Sequence, residues 1–215
     1  MSQLRPTIFI VDDDASVLRS IARVVRQAGY EARTFASAEE FLSSAPLLPP
    51  QPACLVVDLT MPGIGGLELQ RQLAATPAAC PVIFISGNGT IPATVQAMKQ
   101  GAVTFLSKPF DNEDLLQAIA EAVEHHRQSL SANEELHDIR QRLERLTDRE
   151  REVMAWVITG ALNKQIAGQL EIVEKTVKVH RARVLEKMGV NSVAELVRRC
   201  AAVGFAAAQT PPIGT

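Results

Sequence analysis

Up to about residue 124 the chain alternates short apolar runs with amphipathic stretches. The runs Thr7–Val11, Cys54–Val57, Pro81–Ile85 and Val103–Leu106 have strand character, and Glu31–Phe35 reads as a further short strand. Between them apolar residues recur at helical spacing. Val17, Leu18, Ile21, Val24 and Val25 lead up to Gly29, and Phe41 and Leu42 follow Ser37 and Glu40, which are spaced as a capping box. Further helices are expected over 67–75, over 91–100 up to Gly101, and from Asp111 through Leu115, Leu116, Ile119 and Val123, while the proline-rich stretch 45–52 reads as a loop. Five strands alternating with five helices predict an α/β fold: a five-stranded parallel doubly wound sheet covered on both faces.

The pattern then changes. From Glu124 to Leu146 the chain is charged, without proline or glycine, and Leu136, Ile139, Leu143 and Leu146 repeat as a narrow seam. This predicts a helical linker whose seam pairs between two chains or leans on the chain's own domains. Thr147 and Glu150 form a second capping box, opening a helix through Val153, Met154, Trp156, Val157 and Ile158 to Gly160. Helices from Asn163 to about Leu170, from Glu174 to Met188 and from Ser192 to Val203 follow, and two short helices joined by a tight turn make a helix-turn-helix. The expected domains are 1–124 (α/β), 125–145 (linker), 146–205 (all-α, four helices) and 206–215 (flexible tail).

With 215 residues, 47% of them hydrophobic, both domains have material for real cores. No apolar run approaches the roughly 20 residues of a membrane span. The amino terminus lacks a basic region followed by a long apolar core, so a cytoplasmic protein without a membrane partner is expected. Cys54, Cys80 and Cys200 lack metal-ligand spacing and read as reduced thiols without chemistry. The net charge of −2 conceals an asymmetry: residues 1–124 hold 8 Lys+Arg against 13 Asp+Glu, and residues 125–215 hold 14 against 11. The two halves should meet different partners.

In the first half the chemistry-bearing residues sit at strand ends: Asp12 and Asp13, Asp58, Ser86 and Lys108. In a parallel sheet those ends share one edge, where open α/β sheets bind ligands. Clustered carboxylates repel one another, and a hard divalent cation relieves this through oxygen ligands; magnesium suits, since it accepts a few carboxylates and leaves places for phosphate oxygens. Beside such a cation Asp58 can attack phosphorus, with Lys108 neutralising the phosphoryl charge and the Ser86 hydroxyl donating to it. Asp14 reads instead as the start of the first helix, where an acid suits the helix dipole.

Residues 5 to about 125 thus resemble the receiver domain of two-component response regulators. The resemblance puts that family's acidic pair at Asp12 and Asp13, its phospho-acceptor at Asp58, its switch hydroxyl at Ser86, its aromatic switch residue at Phe105 and its lysine at Lys108, followed by Pro109. It implies that Asp13, Asp58 and the Thr60 backbone carbonyl ligate Mg2+, that Asp12 contributes mainly through water, and that the Lys108–Pro109 bond is cis. The hydroxyl is Ser where many members carry Thr. Taken alone, Phe105 is an ordinary core residue.

Along Glu174–Met188, Val177, Val184, Leu185 and Met188 share one stripe, with Lys175, Lys178, Val179, Ala182, Arg183 and Glu186 on the other side. Basic side chains interleaved with small apolar ones suit a major groove, meeting phosphates, guanine edges and thymine methyls. His180 has no second histidine or cysteine near it and reads as a structural, hydrogen-bonding residue. Residues 146–200 resemble the LuxR-type DNA-binding domain through Leu146-Thr-Asp-Arg-Glu, Asn163-Lys-Gln-Ile-Ala and Lys175-Thr-Val-Lys-Val-His180. The whole chain resembles a NarL/FixJ-type response regulator, on the FixJ side through Ser86-Gly-Asn-Gly and Phe105-Leu-Ser-Lys-Pro-Phe110. That implies base reading by Lys178 and Val179, and phosphate contacts from Thr176, Lys164, Arg181 and Arg183. Ala182 stands where some members carry a longer side chain, which leaves the DNA sequence open.

The function so implied is that of a transcription factor rather than an enzyme. A sensor histidine kinase donates a phosphoryl group to Asp58, the chain catalyses its own phosphorylation and slow dephosphorylation, and the phosphorylated form becomes a homodimer on promoter DNA, with RNA polymerase a further candidate partner. One alternative is a regulator that dimerises through its linker without phosphate. Another is an aspartate-nucleophile phosphatase, against which Thr60 stands where those enzymes use a second acid.

Overall fold

The computed structural model describes residues 5–44, 51–74, 79–87 and 91–208. Most of the expected loop at 45–52, residues 88 and 89 of the Ser86-Gly-Asn-Gly motif, and tail residues 209–215 lie outside the described residues. The chain divides into two compact units, Met1–Ser131 and Ala132–Thr215.

The first unit runs β1 (Thr7–Val11), α1 (Ala15–Gln27), β2 (Glu31–Phe35), α2 (Ala38–Ser44), β3 (Ala53–Asp58), α3 (Gly66–Ala74), β4 (Val82–Ser86), α4 (Ile91–Lys99), β5 (Thr104–Ser107) and the start of α5 (Asn112–Glu144). The five strands are parallel in the order β2-β1-β3-β4-β5, the doubly wound sheet expected. Every position of β1, β3 and β4 is buried, because helices cover both faces; hence their unbroken apolar runs. On one face Ile8, Ile10 and Ile83 meet Ile21 and Val25 of α1 and Leu115 and Ile119 of α5. On the other Phe9, Val57 and Phe84 meet Phe41, Leu69, Leu73 and Ala97 from α2, α3 and α4. Each large side chain so buried contributes about 1.5–3 kcal/mol.

Local signals carry through with small shifts. Asp14 is the N-cap of α1, accepting from Ser16 N at 2.7 Å, and Gly29 ends that helix with φ +90°. At α2 only half of the capping box forms: Glu40 N donates to Ser37 Oγ at 3.2 Å, but the Glu40 carboxylate reaches past Ser37 to Ala36 N at 2.7 Å. The last two strands end one residue later than expected, so Ser86 closes β4 and Ser107 closes β5.

The second unit packs the end of α5 with α6 (Asp148–Val157), α7 (Asn163–Gln169), α8 (Glu174–Met188) and α9 (Val193–Ala202). Its core joins Ile139, Leu146, Val153, Met154, Ile166, Val177, Val184, Met188, Leu196 and Cys200. Two of the four seam positions, Ile139 at 1% exposure and Leu146 at 5%, are therefore spent inside this unit. The capping box at α6 is complete, with Glu150 N to Thr147 Oγ1 at 3.3 Å and Thr147 N to Glu150 Oε2 at 2.9 Å. Among the described residues no helix is long and apolar enough to cross a membrane.

Candidate functional site

The chain leaves β1 for β2 on one side of it and returns to β3 on the other, so α1 and α3 depart to opposite faces of the sheet. The usual ligand position in such sheets, at the carboxyl ends of β1 and β3, lies between those two departures. Register then fills it. Val11 stands opposite Val57, so the next residues, Asp12 and Asp58, leave adjacent strands side by side. Asp58 is opposite Ile85 and Ser86 opposite Ser107, which brings Ser86 and Lys108 to the same edge. Lys108 N donates to Ser86 O at 2.8 Å, and the Lys108–Pro109 peptide is cis, as the resemblance implied.

Lys108 Nζ donates at 2.7 Å to Asp12 Oδ2 and at 2.7 Å to Asp58 Oδ1. Both acids are buried, at 1% and 6% exposure, and their other oxygens accept from Asp14 N at 2.8 Å and Thr60 N at 2.7 Å. Burial works against the Lys108 ammonium, but its hydrogen bonds to Asp12 and Asp58, with their charges, outweigh this and hold its pKa above the ordinary value. Lys108 is thus a permanent cation shared by two carboxylates. Ser86 is buried in the same edge, Asp13 and Thr60 are exposed at its rim, and Phe105 lies partly buried on β5 against the second core.

The donor set is all hard oxygen, which fits Mg2+ in kind. Among the described residues no three acids, histidines or cysteines stand together as a ready-made metal site, and the ammonium of Lys108 sits between two of the candidate ligands. Two supports escaped sequence reasoning. Gly66 opens α3 directly over the acid: a Cβ there would stand 2.5 Å from the Asp58 carbonyl oxygen and 3.0 Å from the Phe84 ring. Glu39 Oε1 accepts from Ile64 N at 3.0 Å, holding the loop after β3 from α2. A glycine three residues beyond Pro62-Gly63 was the visible signal for the first; the second joins residues too far apart in sequence to leave one.

In the second unit α8 separates its faces as expected. Val177, Val184 and Met188 are fully buried, while Lys175, Lys178, Val179, Ala182, Arg183 and Glu186 are exposed, as is Lys164 on α7. Val179 keeps 44% of its surface in solvent among these basic side chains. Thr176 is half-buried, and Arg181 donates through Nη1 to Asn163 Oδ1 at 3.1 Å, tying α8 to the start of α7. His180 departs from expectation: its Nδ1 is buried and makes no hydrogen bond among the described residues. The other basic residues include several structural ones. Arg149, Arg151 and Arg199 donate to the carbonyls of Leu170, Leu143 and Met188 at 2.7, 3.0 and 2.9 Å, near the carboxyl ends of α7, α5 and α8. Cationic groups suit such ends. Part of the positive balance is therefore architecture rather than a docking field. The three cysteines are free, and burial pushes the Cys54 thiol well above its ordinary range.

Two family patterns match the chain: the response regulator receiver domain over residues 8–120, and the bacterial regulatory proteins of the luxR family over residues 144–200. Nodulation protein W of Bradyrhizobium diazoefficiens is 42% identical over 94% of this chain and 88% of its own length. The transcriptional regulatory protein FixJ of Rhizobium meliloti is 42% identical over 93% of this chain and 97% of its own. The solved structure of the response regulator StyR superposes with a TM-score of 0.83 at 44% identity, covering 92% of this chain and 99% of that one.

Proposed function

This chain belongs to the two-component response regulators of the NarL/FixJ type, which join a receiver to a LuxR-type DNA-binding domain and act in transcription regulation, and from that premise we propose that Asp58 is its phospho-acceptor. The observation that carries this is Lys108 Nζ, held 2.7 Å from Asp12 and Asp58 at the carboxyl ends of β1 and β3. A sensor histidine kinase is the donor. Asp58 Oδ1 attacks phosphorus as the donor's bond to phosphorus breaks, and Lys108 transfers its hydrogen bond from the carboxylate to a phosphoryl oxygen. Asp12, Asp13, Asp58 and the Thr60 carbonyl would hold Mg2+, which when bound screens the carboxylates from the incoming phosphoryl charge. Ser86 turns its hydroxyl to the phosphoryl group and Phe105 follows it, changing the surface of α4 and β5. The chain thereby catalyses its own phosphorylation and slow dephosphorylation.

The phosphorylated form associates as a homodimer in the cytoplasm, and the 146–205 domain reads promoter DNA through α8, coupled to the 1–124 domain by the 125–145 stretch. Lys178 and Val179 meet base edges, Lys164, Lys175, Thr176, Arg181 and Arg183 meet phosphates, and Ala182 leaves room in the groove. RNA polymerase is a further partner of the bound dimer. Intact-mass measurement after treatment with acetyl phosphate and Mg2+ should show one added phosphate, lost in Asp58→Asn. A phosphate persisting in that variant overturns the assignment.

A further inference from the structure

The last turns of α5 are fastened to the last turn of α8. Ile139 is buried in the same core as Val184 and Met188. Lys187 Nζ donates to Arg145 O at 3.1 Å, just past the end of α5, and to Glu150 Oε2 at 2.6 Å on α6. Glu150 is 2% exposed, so this charge is fixed in place by the unit around it. Gly189, the left-handed C-cap of α8 at φ 63°, lies under the guanidinium of Arg142. Arg142 is itself aimed by Asp138, which accepts from its Nε at 2.7 Å. Of these residues only Lys187, one turn after Arg183 on α8, borders the exposed Lys178, Val179, Ala182 and Arg183 face, and its ammonium is turned to Arg145 and Glu150 instead.

We propose that Arg142 and Lys187 are positioning residues for DNA recognition, which set the orientation of α8 from the end of α5 and make sequence-specific binding depend on that helix end. The proposal rests on α8 being the DNA-reading helix. Base-edge hydrogen bonds need their donors within roughly 0.5 Å and 10–20° of the productive geometry. Flexible side chains on phosphates tolerate far more, and phosphate contacts carry no direct sequence information. A loosened clasp should therefore lower specific affinity and spare non-specific affinity. That split distinguishes positioning from stability, because partial unfolding would reduce both alike.

The test uses the full chain on two duplexes: one recovered by in vitro selection with the unaltered protein, and a random sequence of equal length. Arg142→Ala uncovers Gly189 without emptying the core. Glu150→Gln with Lys187→Met removes both charges together, so that no buried ion is left unpaired. Each should lower affinity for the selected duplex about tenfold, leaving the random duplex and the salt dependence unchanged. Lys187→Arg, made alone so that the ion pair with Glu150 is kept, should retain most of the specific affinity. Equal losses on both duplexes, or a specificity ratio unchanged in both variants while Lys178→Ala lowers it, would overturn the proposal. If Lys178→Ala also leaves the ratio unchanged, the reading of α8 falls instead.

Discussion

Each unit of this molecule holds a lysine against a buried carboxylate at almost the same distance, 2.7 Å for Lys108 and 2.6 Å for Lys187. What differs is the balance of charge. Lys108 is shared by Asp12 and Asp58, so a negative charge is left over at the carboxyl ends of β1 and β3. Lys187 meets a single acid, Glu150, whose Oε2 also accepts from Thr147 N, while its ammonium has a backbone carbonyl as a second acceptor. A cluster with surplus acid can recruit a cation and a phosphoryl group. A balanced cluster, closed by a capping box, is a fastener. Proximity alone does not tell a reactive centre from a joint; stoichiometry does.

Removing each lysine–acid contact in turn should cost a different property in each unit. Lys108→Met should slow phosphate uptake from acetyl phosphate by about 10²–10³-fold, the usual cost of losing one preorganised donor. A time course by mass measurement reads this, and an unchanged rate would mean that the first cluster is only structural. Glu150→Ala should leave phosphate uptake intact and destabilise the second unit by about 1–3 kcal/mol, because Lys187 loses its acid and Thr147 N its acceptor. Trp156 is the only tryptophan in the chain and lies in α6, so its fluorescence in a denaturant titration reports that unit. A midpoint equal to that of the unaltered chain would mean that Glu150 fastens nothing.

Acid should separate the two units by smaller increments. Ala53 N donates to His126 Nδ1 at 2.9 Å, a bond that the neutral ring accepts, and burial holds the His126 pKa below its ordinary 6.5. A depressed folded pKa means a contribution fully present above 6.5 and lost as pH falls through the folded value. In Glu150 the hydrogen bond from Lys187 lowers the pKa below 4.5, so its contribution survives to lower pH and disappears only through that depressed value. Amide exchange at Ala53 should therefore lose protection below neutrality while Trp156 still reports a folded second unit. His126→Asn, which keeps an acceptor without a titrating ring, should flatten the first change; an unchanged pH dependence in that variant would exclude His126 as its source.

Much of both regions was legible before any coordinates. The buried strands of the first unit announce themselves because helices cover both of their faces, and a parallel sheet must bring Asp12, Asp58, Ser86 and Lys108 to one edge. The split faces of α8 follow from helical periodicity. What stayed hidden depends on side-chain reach between distant positions. No spacing rule links Glu150 with Lys187, or Glu39 with Ile64, and no pattern says that Lys108 bridges two acids rather than facing one. The leucine seam before Leu146 read equally well as a contact between chains, since a narrow apolar stripe does not name its partner; Ile139 and Leu146 take theirs from the core of the second unit. His180 fell to the same limitation, because helical phase gives burial but not a hydrogen-bond partner.

The pairing of Val11 with Val57 has a consequence for how such a molecule can vary. Successive strand residues point to opposite faces, so an insertion or deletion of one residue within β3 would carry Asp58 away from Asp12 and also turn Leu55, Val56 and Val57 towards the wrong helices. Asp58 cannot drift by one position while the domain still folds. Exchange of residue type remains open at that place, but displacement does not: the sheet acts as a ruler that discards misplaced acids as misfolded chains, before any loss of signalling could be felt.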